Sequence, residues 1–196
     1  VTKVKATDYI AGFLYDQGVR QVFELIGGMI THLIDSIGRD GRIRIVSVHH
    51  EQAAAFAAEA AGRVTGVPGV ALATSGPGAT NLLTGIASCY FDSTPAVFIT
   101  GQVNRSEQKG ARPIRQLGFQ ETDIVAMAAP ITKGVWRVES PEDLPSILRG
   151  AFQLALAGRP GPVLIDIPMD VQRAEISSAL PGAVAARRTG GAAPGL

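Results

Sequence analysis

Glu51 can do acid–base chemistry where it stands. It follows an apolar run at residues 43–48 and the pair His49-His50, and it opens a helix-forming stretch. A carboxylate there can share a proton with, or donate one to, a ring nitrogen in a sheltered site. A helix start favours its ionised form by a few tenths to about 1 kcal/mol, opposing desolvation. A glutamate that merely complements the helix dipole would occupy the same position. A second candidate is Ser75-Gly76-Pro77-Gly78-Ala79-Thr80-Asn81, a glycine-rich turn between a strand and a helix. Such turns can present backbone N–H groups to an anion. This one matches neither the P-loop nor the dinucleotide fingerprint, because it lacks the Lys-Ser/Thr ending and Pro77 removes a donor. His49 and His50 carry no assigned role. Cys89, the only cysteine, excludes an internal disulfide and a cysteine-rich zinc site. Its apolar context reads as a buried, inert thiol.

The elements that must position these residues follow from periodicity. Helix-like and strand-like segments alternate, which predicts an α/β domain with a doubly wound, mostly parallel six-stranded sheet and helices on both faces. The expected strands lie near residues 22–26, 43–48, 70–74, 95–100, 132–138 and 163–167. Thr7 reads as the cap of a first helix ending near Gly18, and Gly27-Gly28 as the turn into a second. From Glu51 to Arg63 a helix carries seven alanines between Ala53 and Ala61. Alanine favours helix, and small side chains also suit close packing at an interface. A helix from about Ala79 to Tyr90 follows the glycine turn, a short one spans about 122–127, and Ser140 with Pro141 reads as a helix start. In doubly wound sheets ligands bind beyond the carboxyl ends of the strands. Glu51, Thr74, Gly101 and the Gly27-Gly28 turn all fall at such ends.

Eighteen basic and seventeen acidic residues leave a net charge of +1. That balance gives no reason to expect nucleic acid or an anionic membrane as partner. Arg105, Lys109, Arg112 and Arg115 gather in the long polar stretch after Gly101 and read as a solvated loop rather than a phosphate site. No signal-like start and no apolar run near twenty residues is present, so a cytoplasmic protein is expected. Residues 1–175 are expected to form one domain, with 176–196 a linker or disordered tail.

Taken in order, five stretches carry a resemblance. They are His50-Glu51-Gln52, Ala73-Thr74-Ser75-Gly76-Pro77-Gly78-Ala79-Thr80-Asn81, Ile99-Thr100-Gly101-Gln102-Val103, Gly118-Phe119-Gln120-Glu121 and Gly158-Arg159-Pro160-Gly161-Pro162-Val163. Over roughly residues 4–172 the chain resembles the N-terminal, pyrimidine-binding domain of thiamine-diphosphate enzymes, in particular acetolactate synthase. The resemblance implies that Glu51 hydrogen-bonds the cofactor's pyrimidine N1′ and favours the imino tautomer, whose exocyclic nitrogen takes the thiazolium C2 proton. The cofactor carries the organic chemistry and the protein supplies orientation. It further implies that Gly27, Thr74, Pro77, Asn81 and Gln120 contact the cofactor, and that Gly28, Met29 and Phe119 line the substrate pocket. Core packing would equally explain Phe119, and a plain tight turn would explain Gly27.

Two features depart from the family. Leu25-Ile26 stand where Tyr-Pro is common, and Met29 replaces a small residue. The loop at residues 104–117 is also longer than in a typical acetolactate synthase. The Gly-Asp-Gly motif that binds magnesium, and through it the diphosphate, is absent from these 196 residues. The expectation is therefore a piece inactive alone, its site completed by the diphosphate-binding domain of a second subunit in a homodimer or tetramer. Mg2+ would be held by that domain, and FAD is compatible with the full-length enzyme. The expected reaction is decarboxylation of a small 2-oxo acid and its ligation to a second. A decarboxylase, the alpha subunit of a split enzyme, and a non-catalytic binding module are the alternatives.

Overall fold

The computed structural model describes residues 3–177. In chain order run β1 (Lys3–Lys5), α1 (Ala6–Asp16), β2 (Gln21–Glu24), α2 (Thr31–Asp40), β3 (Arg44–Ser47), α3 (Glu51–Thr65), β4 (Gly69–Ala73), α4 (Pro77–Asn81), α5 (Leu83–Asp92), β5 (Ala96–Gln102), α6 (Ile124–Ala128), β6 (Gly134–Arg137), α7 (Leu144–Leu156), β7 (Pro162–Pro168), α8 (Met169–Arg173) and β8 (Glu175–Ser177). Six strands form one sheet in the order β3-β2-β4-β5-β7-β6. Every neighbouring pair is parallel, so the doubly wound sheet is parallel throughout.

Successive residues of a strand point to opposite faces, and β4 illustrates the result. Val70 and Leu72 join Ile10, Leu14, Ile37 and Phe152 under α1, α2 and α7. Ala71 and Ala73 join Ala54, Ala58 and Ile86 under α3 and α5. Both faces are covered, which is why β4, β5 and β7 read as mostly apolar runs rather than alternating ones, with polar residues only toward the carboxyl ends of β5 and β7. All seven residues of β5 and all seven of β7 are buried. Fully burying a side chain such as Leu72 or Phe98 contributes about 1.5–3 kcal/mol.

The alanine-rich helix uses its small residues inside the domain. A Cβ added at Gly69 would lie 1.8 Å from Ala58 O, and one at Gly85 would lie 2.3 Å from Ala55 Cβ. Helix α3 therefore lies directly on β4 and α5. Gly66, with φ 70°, ends it in the left-handed region.

Several boundaries differ from expectation. Thr7 does not cap the first helix: α1 starts at Ala6, straight after the N-cap Lys5, with no side-chain cap hydrogen bond. Thr7 is buried, and its hydroxyl lies 2.8 Å from Ser36 Oγ. Strands β1 and β8 pair antiparallel in a separate two-stranded sheet; at three residues each they carry no readable period. The helix expected over 79–90 is two helices meeting at Leu82. Ser140 precedes a 3-10 turn at Pro141–Asp143, but its hydroxyl donates to Glu142 at 2.6 Å instead of capping. Of the segment 176–196, Ile176 and Ser177 belong to β8 and the rest lies outside the described residues.

Candidate functional site

The sheet order locates a crevice. From β2 the chain moves outward to β3, then returns by α3 to β4 on the other side of β2. Helix α2, which follows β2, packs on one face, whereas α3 and α5 pack on the other. The connections leaving β2 and β4 therefore diverge, and a gap opens at their carboxyl ends. That is the switch point where doubly wound sheets bind ligands. Residues 27–29 after β2, Glu51 after β3 and residues 74–78 after β4 all reach it.

Glu51 is the first residue of α3 and only 6 % exposed. His50 is the N-cap: its Nδ1 accepts from Gln52 N at 3.1 Å, so the helix start is satisfied without the glutamate. The carboxylate is thus free to turn inward. Asn81, at the end of α4, donates from Nδ2 to Glu51 Oε2 at 2.8 Å. A buried carboxylate needs such donors, since water cannot replace them.

Glycines shape the space around it. A Cβ at Gly78 would lie 2.7 Å from Thr74 Cγ2 and 3.0 Å from Glu51 Oε1. One at Gly27 would lie 2.5 Å from Thr74 Cβ. Gly76 has φ 64°, and its Cβ would meet Gln120 Cβ at 2.7 Å. Each position needs a missing side chain, because backbone passes close to a working residue. Thr74 ties two sides of the crevice together: its Oγ1 accepts from Met29 N at 3.2 Å.

The structure joins Gly27, Met29, Thr74 and Glu51 with Asn81 in one contact network, and brings Gln120 against the Gly76 turn. Gln120 itself holds φ 58°, a rare conformation for a residue with a side chain. Pro77 opens α4 and is exposed, as is Gly28. Phe119 is 74 % exposed, so it does not belong to the core. Two supporting residues, His50 and Gln172, escape sequence reasoning, whereas Gly101 was placed at the site by its position at a strand end. His50 caps α3, Gln172 Nε2 donates to Met29 O at 2.7 Å, and Gly101 leaves room for that same carbonyl, 2.0 Å from where its Cβ would be. In the structure Gly101 is the penultimate residue of β5.

Two strands across the sheet from β4, Asp166 sits fully buried in β7. Thr100 Oγ1 donates to it at 2.7 Å and Gln102 Nε2 at 3.1 Å. Desolvation pushes its carboxyl up to about 6, against those hydrogen bonds and the nearby Arg137 charge. Among the described residues no group of three or more His, Cys, Asp or Glu side chains could hold a metal ion. No helix among them is long and apolar enough to cross a membrane.

A family model described as "Thiamine pyrophosphate enzyme, N-terminal TPP binding domain" matches residues 4–127, more than half of the chain. The chain belongs to this family. The thiamine-pyrophosphate domain is 47 % identical over 169 residues to acetolactate synthase 2, chloroplastic, of Nicotiana tabacum, covering 86 % of this chain and 24 % of that protein. It is 44 % identical over 168 residues to the acetolactate synthase isozyme 3 large subunit of Escherichia coli, covering 86 % and 28 %. With the probable acetolactate synthase large subunit of Methanocaldococcus jannaschii it shares 42 % over 176 residues, covering 88 % and 28 %. The domain thus spans about a quarter of the length of these relatives.

Proposed function

We propose that this domain binds the pyrimidine half of thiamine diphosphate in an acetolactate synthase-like enzyme and that Glu51 is its activating carboxylate. The observation that carries this reading is the buried Glu51 carboxylate, with one oxygen held by Asn81 and the other facing the Gly78 turn. Gly27 and Gly78 let the backbone close on Thr74, so the crevice beside the carboxylate is walled by backbone rather than by further side chains. The residues present fit an aminopyrimidine. When bound, thiamine diphosphate would supply the carbon nucleophile that attacks a 2-oxo acid.

The roles of the chain's own residues follow from their placement. Glu51 holds a proton at the ring nitrogen, and Asn81 keeps the carboxylate from rotating away. Thr74 fixes the spacing between the two walls through Met29 N. Gly27 offers backbone to the ring, Pro77 and Gln120 close its edges, and Gly28, Met29 and Phe119 stand at the substrate side. Phe119 is exposed here, which suits a residue covered by a second polypeptide segment. The rest of the reading rests on the likeness to acetolactate synthases. It comprises a diphosphate-binding domain of a second subunit in a dimer or tetramer, Mg2+ on that domain, FAD in the full-length enzyme, and ligation of two small 2-oxo acids.

The test is Glu51→Gln in the intact enzyme, assayed for acetolactate from pyruvate alongside thiamine diphosphate binding by calorimetry. Turnover should fall by about 100-fold or more, with binding retained. Unchanged turnover removes Glu51 from its role. A product without a new carbon–carbon bond replaces ligation by simple decarboxylation.

A further inference from the structure

The loop between β5 and α6 covers a cavity of about 150 Å³ that the roles above leave unused. Its walls include Gln102, Gln108, Lys109, Arg115, Glu121 and Arg137. Gln102 ends β5 and Arg137 ends β6, so the cavity also opens at the carboxyl edge of the sheet. Below it, Arg137 Nε lies 3.6 Å from the buried Asp166.

The polar groups around this cavity are unbalanced. Its carboxylates are engaged: Glu121 accepts from Lys109 N and from Leu117 N, each at 2.8 Å, and so ties the loop down. Asp123 accepts from Arg137 at 2.7 Å and from Ala126 N at 3.3 Å. The donors are not matched. Among the described residues the Lys109 ammonium and the Arg115 guanidinium have no partner. The amide nitrogen of Gln108 is buried without an acceptor, and Nε of Arg137 has only the Asp166 carboxylate, at 3.6 Å and beyond hydrogen-bond distance. A buried donor left bare is costly, and such groups in native proteins call for an explanation. One acceptor-only group with several lone pairs and negative charge would satisfy them together, with charge-assisted hydrogen bonds. The space is roomy enough for several waters, and hence for a group the size of phosphate.

We propose that this cavity binds a small oxyanion, the phosphate or carboxylate group of a metabolite-sized ligand, through Lys109, Arg115, Arg137 and Gln108. The site is separate from the Glu51 crevice and stands whether or not thiamine binds there. Gln120, which packs on the Gly76 turn, directly precedes Glu121 of the cavity wall, so an occupied cavity would also steady that contact.

Calorimetric titration of the intact protein at low ionic strength with inorganic phosphate, and separately with acetate, tests this. Saturable binding of one ion per chain is expected. Saturation by phosphate alone identifies a phosphorylated ligand, and saturation by acetate a carboxylate. Lys109→Gln and Arg115→Gln should each weaken binding by about tenfold or more, while Lys3→Gln, which removes the same charge elsewhere, leaves it unchanged. Lys109 and Arg115 support no other contact, so both variants should melt like the parent. No saturable binding of either ion overturns the proposal. So does equal binding by parent and variants, or an equal loss in Lys3→Gln.

Discussion

Replacing Asn81 by alanine should destabilise this domain more when residue 51 is glutamate than when it is glutamine. Asn81 Nδ2 lies 2.8 Å from Glu51 Oε2, and the glutamate is 6 % exposed. Water is therefore poorly placed to take over the lost donor. A hydrogen bond to a charged group contributes about 1.5–3 kcal/mol, and one between neutral groups about 0.5–1.5 kcal/mol. Asn81→Ala should then lower stability by about 2 kcal/mol in the parent and by about 1 kcal/mol in Glu51→Gln. The coupling between the two positions is the difference, about 1 kcal/mol. Glu51→Gln by itself should stabilise the fold, because it removes a buried charge while keeping an acceptor for Asn81. Urea denaturation of all four proteins at pH 7 without cofactor measures every term. If Asn81→Ala has the same effect in both backgrounds to within about 0.3 kcal/mol, Asn81 does not hold the charge of Glu51, and the site geometry described above is wrong.

Three further outcomes are expected. Gly78→Ala places a Cβ 2.7 Å from Thr74 Cγ2 and should destabilise by about 1–3 kcal/mol. Adding Thr74→Ser, which deletes that methyl, should recover part of the loss, and a double variant no better than Gly78→Ala speaks against the packing. Because burial raises the Asp166 carboxyl to about 6 from an ordinary 3.8, the folded state holds its proton more tightly than the unfolded one. The stability this gives is full below about pH 4 and is lost as pH rises through about 6. Denaturation curves should show Asp166→Asn gaining about 3 kcal/mol on the parent across that window, and a flat difference refutes it. Cys89 is buried, and desolvation raises its thiol to about 12. Native protein at pH 8 should resist iodoacetamide and react only once unfolded, as mass spectrometry would show; rapid native labelling contradicts the burial.

Much of the architecture was legible in the sequence for a physical reason. Strands buried on both faces are mostly apolar, so residues 95–100 and 163–167 announce themselves despite Thr100 and Asp166, and glycines at strand ends punctuate the turns. What escaped was short or non-local. Strands β1 and β8 are too brief to show a period, and each exists only because the other is beside it. Helix α3 starts at Glu51 as expected, but its cap, His50, could not be told from an idle histidine at a strand end. The alanines of α3 read equally as helix formers or as an interface. Their actual neighbours lie far along the chain, Gly69 11 residues beyond Ala58 and Gly85 30 residues beyond Ala55.

Residue types alone, by resemblance and spacing, brought Glu51, Thr74 and Asn81 forward as candidates for one site at the carboxyl ends of parallel strands. Tertiary structure decided how they meet. The crossing from β3 back to β4 puts the gap between β2 and β4, and burial at that gap turns an ordinary helix-start glutamate into a sheltered carboxylate with one donor. The unpaired cations at Lys109 and Arg115 likewise became visible only once the loop had closed over Arg137. Sequence carries the chemistry of each side chain, whereas desolvation and partner geometry arise only when distant segments pack.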